Sequence, residues 1–326
     1  MIDELAAEGE FSGVVRVDLE GATAFEKAYG FAHRGFRIPN RSTTRFATAS
    51  TTKGFTALAV VSLVEDGVLG FDTTARSLLG DDLPLIDDRV TVQQLLAHRS
   101  GIGDYLDEDG DGDILDYVMP VPVHRLDDVE HYLPALAGHP HKFAPGSDFS
   151  YCNSGFAVLA ILAQRASSTN FAELVDERVC KPAGLSATSF TRSDELGGDT
   201  AAGYLHATGL RSNVLHLPVV GSGDGGIYST TDDLHRLWEA FVAGAIVSPA
   251  MVTEMTRAHT PPAPARGYGL GVWLPASGAL MLQGYDAGVS CATVHDPARR
   301  ITHTVISNTT EGAWPLYRRL NELLGT

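Results

Sequence analysis

Basic residues are scarce in this 326-residue chain. Its 24 lysines and arginines stand against 40 aspartates and glutamates, and the formal net charge is −16. Neutralising nucleic-acid phosphates requires clustered Lys and Arg, so the composition argues against a nucleic-acid partner. No apolar run approaches the roughly 18–20 residues of a membrane span, so we expect no membrane partner either. The hydrophobic content of 44% is enough for a substantial globular core.

Cysteine is rare, and several catalytic motifs are missing. Cys152, Cys180 and Cys291 are an odd number without metal-ligand spacing, which predicts reduced, buried thiols. The twelve histidines form no His-Glu-x-x-His motif, so a metallo-hydrolase is disfavoured and no metal or other cofactor is expected. Gly-x-Ser-x-Gly is also absent, which argues against an α/β-hydrolase with a nucleophile elbow.

The amino terminus lacks the features of a secretion signal. In MIDELAAEGEFSG no basic stretch precedes an apolar run. As written, the sequence predicts a cytoplasmic protein, and an exported one if a leader has been removed. The oligomeric state is left open.

β-Forming segments cluster at both ends of the chain. Residues 11–18 and 22–30 predict a hairpin, and residues 269–308 predict four successive strands before an amphipathic helix at 314–325. Between them lie helical patterns, including one that starts at Ser50 as its N-cap and stops at Gly67, one with a capping box at Thr91 and Gln94, and one from Ser154.

This order predicts an α/β (α+β) protein. Residues 1–72 and 211–326 would form a discontinuous α/β domain, and residues 73–210 a mainly helical inserted domain. The cleft between the two is where we expect the chemistry.

The strongest chemical signal is Ser50-Thr-Thr-Lys53. Residues i and i+3 share a helix face, so the Ser50 hydroxyl and the Lys53 amine would meet at the first turn, near the positive end of the helix dipole. A serine becomes a good nucleophile only when a base removes its proton, and a lysine can do so near pH 7 only if its pKa is lowered. By itself the motif is also compatible with a capping serine and a solvated lysine.

A second segment, FAPGSDFSYCNSGF at 143–156, places Tyr151 and Asn153 on a turn before a helix. Tyr151 can act as a phenol or a phenolate, and Asn153 can hold Lys53 or a substrate amide. The alternative is a core tyrosine beside a helix-capping asparagine.

Four blocks together resemble the serine β-lactamase and penicillin-binding-protein superfamily, in its class C β-lactamase, D-Ala-D-Ala peptidase and esterase branch. They occur in the family's order: TRFATASTTKGFTALAVVSLVEDGVLGFD (44–72), LLAHRSGI (95–102), FAPGSDFSYCNSGFAVLAILAQ (143–164) and GDGGIYSTTDDLHRLWEAF (223–241). The resemblance implies the β-lactamase/transpeptidase-like fold, with an antiparallel sheet flanked by helices.

The resemblance also implies roles for individual residues. Ser50 would be the nucleophile, with Lys53 and Tyr151 as a coupled pair of which either could be the base, and Asn153 would position substrate and lysine. The expected substrate is a small ester, amide or β-lactam, and His98 and Ser100 would be structural.

The family's third motif, Lys-Thr-Gly or His-x-Gly, is altered. The best register places Leu282-Gln283-Gly284 there, so the glycine is kept and the cation that would recognise a carboxylate is replaced by Leu282. In relatives the oxyanion hole uses the backbone N–H of the nucleophile and of the residue after this glycine, here Tyr285. We therefore expect neutral or hydrophobic esters and amides to be preferred over β-lactams.

Three other interpretations carry less weight. Gly221–Gly226 matches Gly-x-Gly-x-x-Gly but lacks the surrounding nucleotide-binding βαβ series, and DEDGDGD at 107–113 resembles a calcium loop but has Val118 at position 12. The rival from another class is a catalytically weakened penicillin-binding or regulatory protein that keeps the fold.

Overall fold

The two ends of the chain build one sheet. The structure is a computed structural model that describes residues 2–108, 110, 112–260 and 266–326. Its strands are β1 (Gly13–Leu19), β2 (Ala22–Tyr29), β3 (Phe31–His33), β4 (Ile38–Pro39), β5 (Phe46–Ala47), β6 (Ser189–Phe190), β7 (Ile227–Ser229), β8 (Arg266–Tyr268), β9 (Trp273–Pro275), β10 (Leu280–Asp286), β11 (Val289–Asp296) and β12 (Ile301–Ser307). Seven of them form an antiparallel sheet in the order β2-β1-β12-β11-β10-β9-β8.

Strand pairing links the first strands of the chain to the last one. The predicted hairpin is present as β1 and β2, and β1 also pairs with β12 from Gly13↔Ser307 to Leu19↔Ile301. Two small sheets, β3-β4 and β5-β7-β6, lie outside the main one. The second of these carries the segment that leads into Ser50.

Helices cover both faces of the sheet and fill the middle of the chain. They are α1 (Ile2–Glu8), α2 (Thr52–Glu65), α3 (Ala75–Leu79), α4 (Val92–Leu96), α5 (Leu133–Leu136), α6 (Asn153–Ser167), α7 (Phe171–Val175), α8 (Lys181–Ala183), α9 (Thr231–Val242), α10 (Pro249–Met255) and α11 (Ala313–Leu324). Short 3₁₀ turns occur at Ala49–Thr51, Val123–Arg125 and Val129–Tyr132, and a π turn at Asp176–Cys180. None of the helices within the described ranges is both long and apolar enough to span a membrane.

Helix α2 is the centre of the molecule. Every residue from Thr52 to Leu63 is buried, because the helix is apolar almost all round and is covered by other elements on every side. Its main helical neighbour is α6, which is buried from Asn153 to Ala163. The capping box predicted at Thr91 and Gln94 is also present, at the start of α4.

One hydrophobic core joins the middle segment to the sheet. It includes Phe55 and Leu63 of α2, Leu95 of α4, Phe156 of α6 and Leu237 of α9, and a smaller cluster packs α1 and α11 on the other face of the sheet. The mixed α/β fold with an antiparallel sheet is confirmed. The division into residues 1–72 with 211–326 and an inserted 73–210 stays a prediction.

Buried histidines are expected to make the stability of this fold depend on pH. His295 on β11 and His303 on β12 are 6% and 0% exposed, and burial lowers the pKa of each to about 4. Unfolded histidine protonates near pH 6.5, so between these values the unfolded chain binds more protons. The free energy of unfolding is therefore expected to fall as the pH drops from about 6.5 to 4, by at most about 1.4 kcal/mol per pH unit and histidine.

Urea unfolding at pH 7.5, 6 and 5 measures this dependence. His303→Gln is expected to flatten the loss of stability with falling pH, whereas His124→Gln, at an exposed position, is expected to leave it unchanged. Equal pH dependence in the wild type and both variants would show that other groups control acid unfolding.

Candidate active site

A strained turn presents Ser50 at the end of β5. The preceding residue, Ala49, has a φ of 46°, in the left-handed region that residues with a side chain rarely adopt. Ile227 of β7 holds this turn from both sides: its carbonyl accepts from the Thr48 backbone N–H at 3.0 Å, and its N–H donates to Thr52 Oγ1 at 3.1 Å. The turn continues into α2, so the predicted N-cap role of Ser50 is wrong; Thr51 is the N-cap residue and makes no side-chain cap bond.

Lys53 lies directly behind the Ser50 hydroxyl. Its Nζ donates to Ser50 Oγ at 2.9 Å, to Asn153 Oδ1 at 2.7 Å and to the Asp224 carbonyl at 2.8 Å. The side chain is 1% exposed, and this burial lowers the pKa of the amine below its usual 10.5, against the opposing charges of Asp224 and Glu108. Loss of one proton would leave two N–H bonds for Asn153 and Asp224 and turn a lone pair toward Ser50.

Tyr151 reaches the same hydroxyl from the turn before α6. Its phenol hydrogen-bonds Ser50, and its ring stacks on Trp273 with centroids 5.8 Å apart and lies 4.4 Å from the His98 ring. Burial raises the pKa of the phenol well above 10. The group is therefore a neutral phenol at pH 7, able to pass a proton but not poised as a phenolate.

His98 supports this turn. It is 1% exposed, its Nδ1 accepts from the Cys152 backbone N–H at 3.0 Å, and burial lowers the pKa of the imidazole well below 6.5. A neutral ring that contacts Tyr151 and Phe156 acts as packing and as a hydrogen-bond acceptor. The structural role predicted for His98 matches these contacts.

Asn153 is held in place by residues 104–108. Its backbone N–H and that of Ser154 donate to the two Asp104 carboxylate oxygens at 2.7 and 2.8 Å, so Asp104 binds the otherwise unpaired donors at the start of α6. The Asn153 side-chain amide donates to the Leu106 carbonyl at 2.8 Å and to Glu108 Oε1 at 3.0 Å. Its carbonyl oxygen is thereby aimed at Lys53.

The glycine-rich turn at Gly221–Gly226 belongs to this site. A Cβ atom on Gly223 would lie 2.2 Å from the Phe156 carbonyl oxygen, so the glycine allows the turn to pack directly on α6. This contact presents the Asp224 carbonyl to Lys53, and the Asp224 carboxylate accepts from the Tyr105 hydroxyl. The glycines therefore have a packing reason that needs no nucleotide.

Gly284 of β10 packs against the Ser50 turn. A Cβ atom there would lie 2.0 Å from the Thr48 carbonyl oxygen and 2.8 Å from the Ser50 nitrogen. Leu282, two residues earlier on the same face, is 5% exposed and lies against Gly54 of α2, in the core. An apolar side chain thus occupies the position that the resemblance assigns to the cation of the family's third motif.

Gly284→Ala is expected to lower both activity and stability. The added methyl group must move the nucleophile turn away from β10, which costs about 1–3 kcal/mol of unfolding free energy by the usual price of overpacking. Gly197→Ala is the matched control, since a Cβ atom there meets nothing within 4 Å. Melting and hydrolysis measurements that did not distinguish the two variants would contradict the close contact.

The predicted site residues are brought together to different degrees. Ser50, Lys53, Tyr151 and Asn153 are in direct contact through the bonds described above. Tyr285 lines the adjacent cavity, but its hydroxyl donates to Glu311 Oε1 at 2.6 Å. The catalytic and binding roles of these residues remain predictions.

Four acidic residues near Ser50 were missed: Asp104, Glu108, Asp224 and Asp286. The first two lie in or beside the DEDGDGD run, where the alternation of acids suggested a solvated turn or a calcium loop. Residues 109 and 111 of that loop lie outside the described residues. Among all the described residues, those four included, no group of three or more His, Cys, Asp or Glu side chains is arranged to hold a metal ion.

Comparison with known proteins defines the class as serine hydrolases of the β-lactamase and penicillin-binding-protein type. A crystal structure of a penicillin-binding protein from Bacillus halodurans is 32% identical, superposes with a TM-score of 0.92, and is covered over 100% of its length by 99% of this chain. The Beta-lactamase family model matches residues 1–323. The chain belongs to the beta-lactamase family.

Proteins of similar sequence include a penicillin-binding protein, an esterase and a D-aminopeptidase. Identity is 28% to penicillin-binding protein 4* of Bacillus subtilis (77% of this chain, 56% of the relative) and 29% to esterase EstB of Burkholderia gladioli (79% and 72%). It is 27% to a D-aminopeptidase of Brucella ovis (91% and 56%). The chain thus spans little more than half of the length of two of these relatives. Membership of this family and the names of the esterase and D-aminopeptidase relatives support a hydrolase.

Proposed function

We propose that the protein hydrolyses small carboxylic esters or amides through an acyl-enzyme at Ser50. The observation that carries this proposal is the 2.9 Å contact between Ser50 Oγ and a buried Lys53 amine that is itself held by Asn153 and the Asp224 carbonyl. A purely structural lysine would gain nothing from burial without an acidic side chain bound to it, because desolvation of the ammonium is costly. The names of the esterase and D-aminopeptidase relatives are consistent with this chemistry.

The proposed reaction uses Lys53 as the base. Its neutral amine takes the Ser50 proton while Oγ attacks the acyl carbon, and the negative charge moves to the substrate oxygen. The Ser50 and Tyr285 backbone N–H groups would stabilise that oxygen, an arrangement worth about 3–4 kcal/mol per donor in related chemistry. Tyr151 passes the proton from Lys53 to the leaving group, and water then cleaves the acyl-enzyme and restores the hydroxyl.

The substrate class follows from the altered third motif. Leu282 is buried in the core and supplies no charge to the cavity. A substrate carboxylate would therefore lack the cation that relatives offer it. We propose that acyl donors without a carboxylate are preferred over β-lactams.

A fluorophosphonate probe and a substrate panel test the proposal. The wild-type chain should take up one probe per molecule, on the tryptic peptide that contains Ser50, and should turn over p-nitrophenyl butyrate many times. It should open a chromogenic cephalosporin more slowly. An adduct on another residue would refute the nucleophile, and faster cephalosporin opening would refute the preference.

The time course of p-nitrophenol release distinguishes an enzyme from the rival function. A catalytically weakened penicillin-binding or regulatory protein would release one equivalent of p-nitrophenol and then stop, because acylation would outrun deacylation. Continued release after the first equivalent identifies an enzyme.

A further inference from the structure

The cavity in front of Ser50 is acidic and otherwise largely apolar. Its empty volume is about 750 Å³, including the open mouth. Glu108, Asp224 and Asp286 line it, and the described residues that surround it include no lysine, arginine or histidine. Lys53 lies behind Ser50, where its three donors are already engaged. A ligand in this cavity therefore meets carboxylates without a balancing protein cation.

Asp286 is the carboxylate best placed for a reacting acyl group. Side chains alternate along a strand, so Asp286 points to the same face of β10 as Gly284, which contacts the Ser50 turn. Residues i and i+2 lie about 6.5–7 Å apart along a strand. Asp286 also directly follows Tyr285, the residue with the proposed oxyanion donor. Its carboxylate thus faces the substituents next to the acyl carbon.

The three carboxylates differ in how far they are already paired. The Tyr105 hydroxyl binds Asp224, and the Asn153 amide binds Glu108. Asp286 accepts from the adjacent Ala287 backbone N–H at 2.8 Å, and no side chain among the described residues donates to it. Burial and the nearby charges of Asp224 and Glu108 raise the pKa of Asp286 to about 7.

An organic cation fits this arrangement better than a metal ion. No three acidic, histidine or cysteine side chains of the described residues converge as metal ligands. An ammonium group needs only one close carboxylate and the field of the others. Such a cation would also favour the charged form of Asp286.

We infer that the acyl donor carries a protonated amine on the carbon next to its carbonyl, and that Asp286 binds this amine. Glu108 and Asp224 add negative potential around it. This inference rests on the proposed function, since it names the acyl group that Ser50 receives. Asp286 is then the residue that sets specificity for α-amino acyl amides over uncharged ones.

A matched pair of substrates tests the inference. Alanine p-nitroanilide, in both enantiomers, and isobutyryl p-nitroanilide differ only by an ammonium in place of a methyl group. At pH 7 the wild-type chain is expected to cleave at least one enantiomer with a kcat/KM roughly ten- to hundredfold above that of the isobutyryl compound, the usual range for a hydrogen bond to a charged group. Asp286→Asn is expected to remove this advantage, mainly through KM, so that the ratio of kcat/KM between the two substrates approaches one.

Two controls keep the result interpretable. Glu239→Gln removes one negative charge from an exposed position on α9 outside the cavity and should preserve the preference. If Asp286→Asn does not fold, inhibition of wild-type ester hydrolysis gives the same information: alaninamide should compete at least tenfold more strongly than isobutyramide.

Failure of the inference and failure of the proposed function give different results. Serine-dependent cleavage of the isobutyryl compound and of esters without any ammonium preference would overturn the inference and leave the proposed function standing. Equal losses on both substrates in Asp286→Asn would do the same. Absence of Ser50-dependent turnover for every donor would overturn both.

Discussion

Replacement of Ser50 by alanine is expected to lower kcat/KM for ester and amide donors by about 10⁴- to 10⁶-fold, as in other serine hydrolases that lose their nucleophile. Ile227 and Gly284 hold the Ser50 turn in place, and Ser50 is the hydroxyl to which the Lys53 amine donates. Fluorophosphonate labelling should disappear together with turnover. Intact-mass measurement and initial rates with p-nitrophenyl butyrate follow the two effects.

Two further variants test whether the loss of activity is specific to Ser50 and coupled to Lys53. Ser62→Ala removes a buried serine of the same helix whose hydroxyl donates to the Ala59 carbonyl, and it should keep full labelling. Residues that act as one unit give non-additive losses, so the double variant Ser50→Ala/Lys53→Met should be no slower than Ser50→Ala alone. A further drop in the double variant would mean that Lys53 serves a reaction that does not use Ser50.

Lys53→Met is expected to lower the acylation rate by about 10²- to 10⁴-fold, the usual contribution of a general base. Methionine has a similar length and fits an apolar setting, but its sulfur is not basic enough to take the Ser50 proton. Burial favours the neutral amine of Lys53 and also the neutral phenol of Tyr151. Burial therefore shifts the amine toward its proton-accepting form and the phenol away from its own. Single-turnover labelling across pH 6–9 measures the effect.

Comparison with Tyr151→Phe tests this assignment of the base. Phenylalanine keeps the ring contacts with Trp273 and His98 and removes the hydroxyl that bonds Ser50. If Tyr151 only relays the proton, its loss should be smaller than that of Lys53→Met. The opposite order would make the phenol the base. Lys181→Met, at an exposed ion pair with Asp176, should change neither rate nor labelling.

Local patterns were sufficient to predict much of the fold. The hairpin β1-β2, the capping box of α4 and the apolar helix after Ser50 each depend on residues a few positions apart. The Ser50–Lys53 contact belongs to the same kind of signal, because it joins residues i and i+3. The resemblance to a family then connected these pieces to Tyr151 and Asn153.

The parts that the sequence did not reveal depend on contacts between distant segments. Asp104 binds α6 from about 50 positions away, and Asp224 reaches Lys53 through a backbone carbonyl, which leaves no side-chain signature. Asp286 is the last residue of β10, and its direction became evident only from the packing of Gly284 on the same face. The cap predicted at Ser50 failed because a 3₁₀ turn precedes α2.

The backbone hydrogen bonds of Ile227, here called the clamp, hold the nucleophile independently of most of the cavity wall. It holds the nucleophile through main-chain groups of β7, whereas much of the cavity wall comes from other segments, including Asn213–Val219. Substitutions in those segments can reshape the space for an acyl donor without changing the Ile227 backbone hydrogen bonds that hold Ser50. A fold organised in this way can acquire new substrates through loop substitutions while the geometry of its nucleophile stays constant.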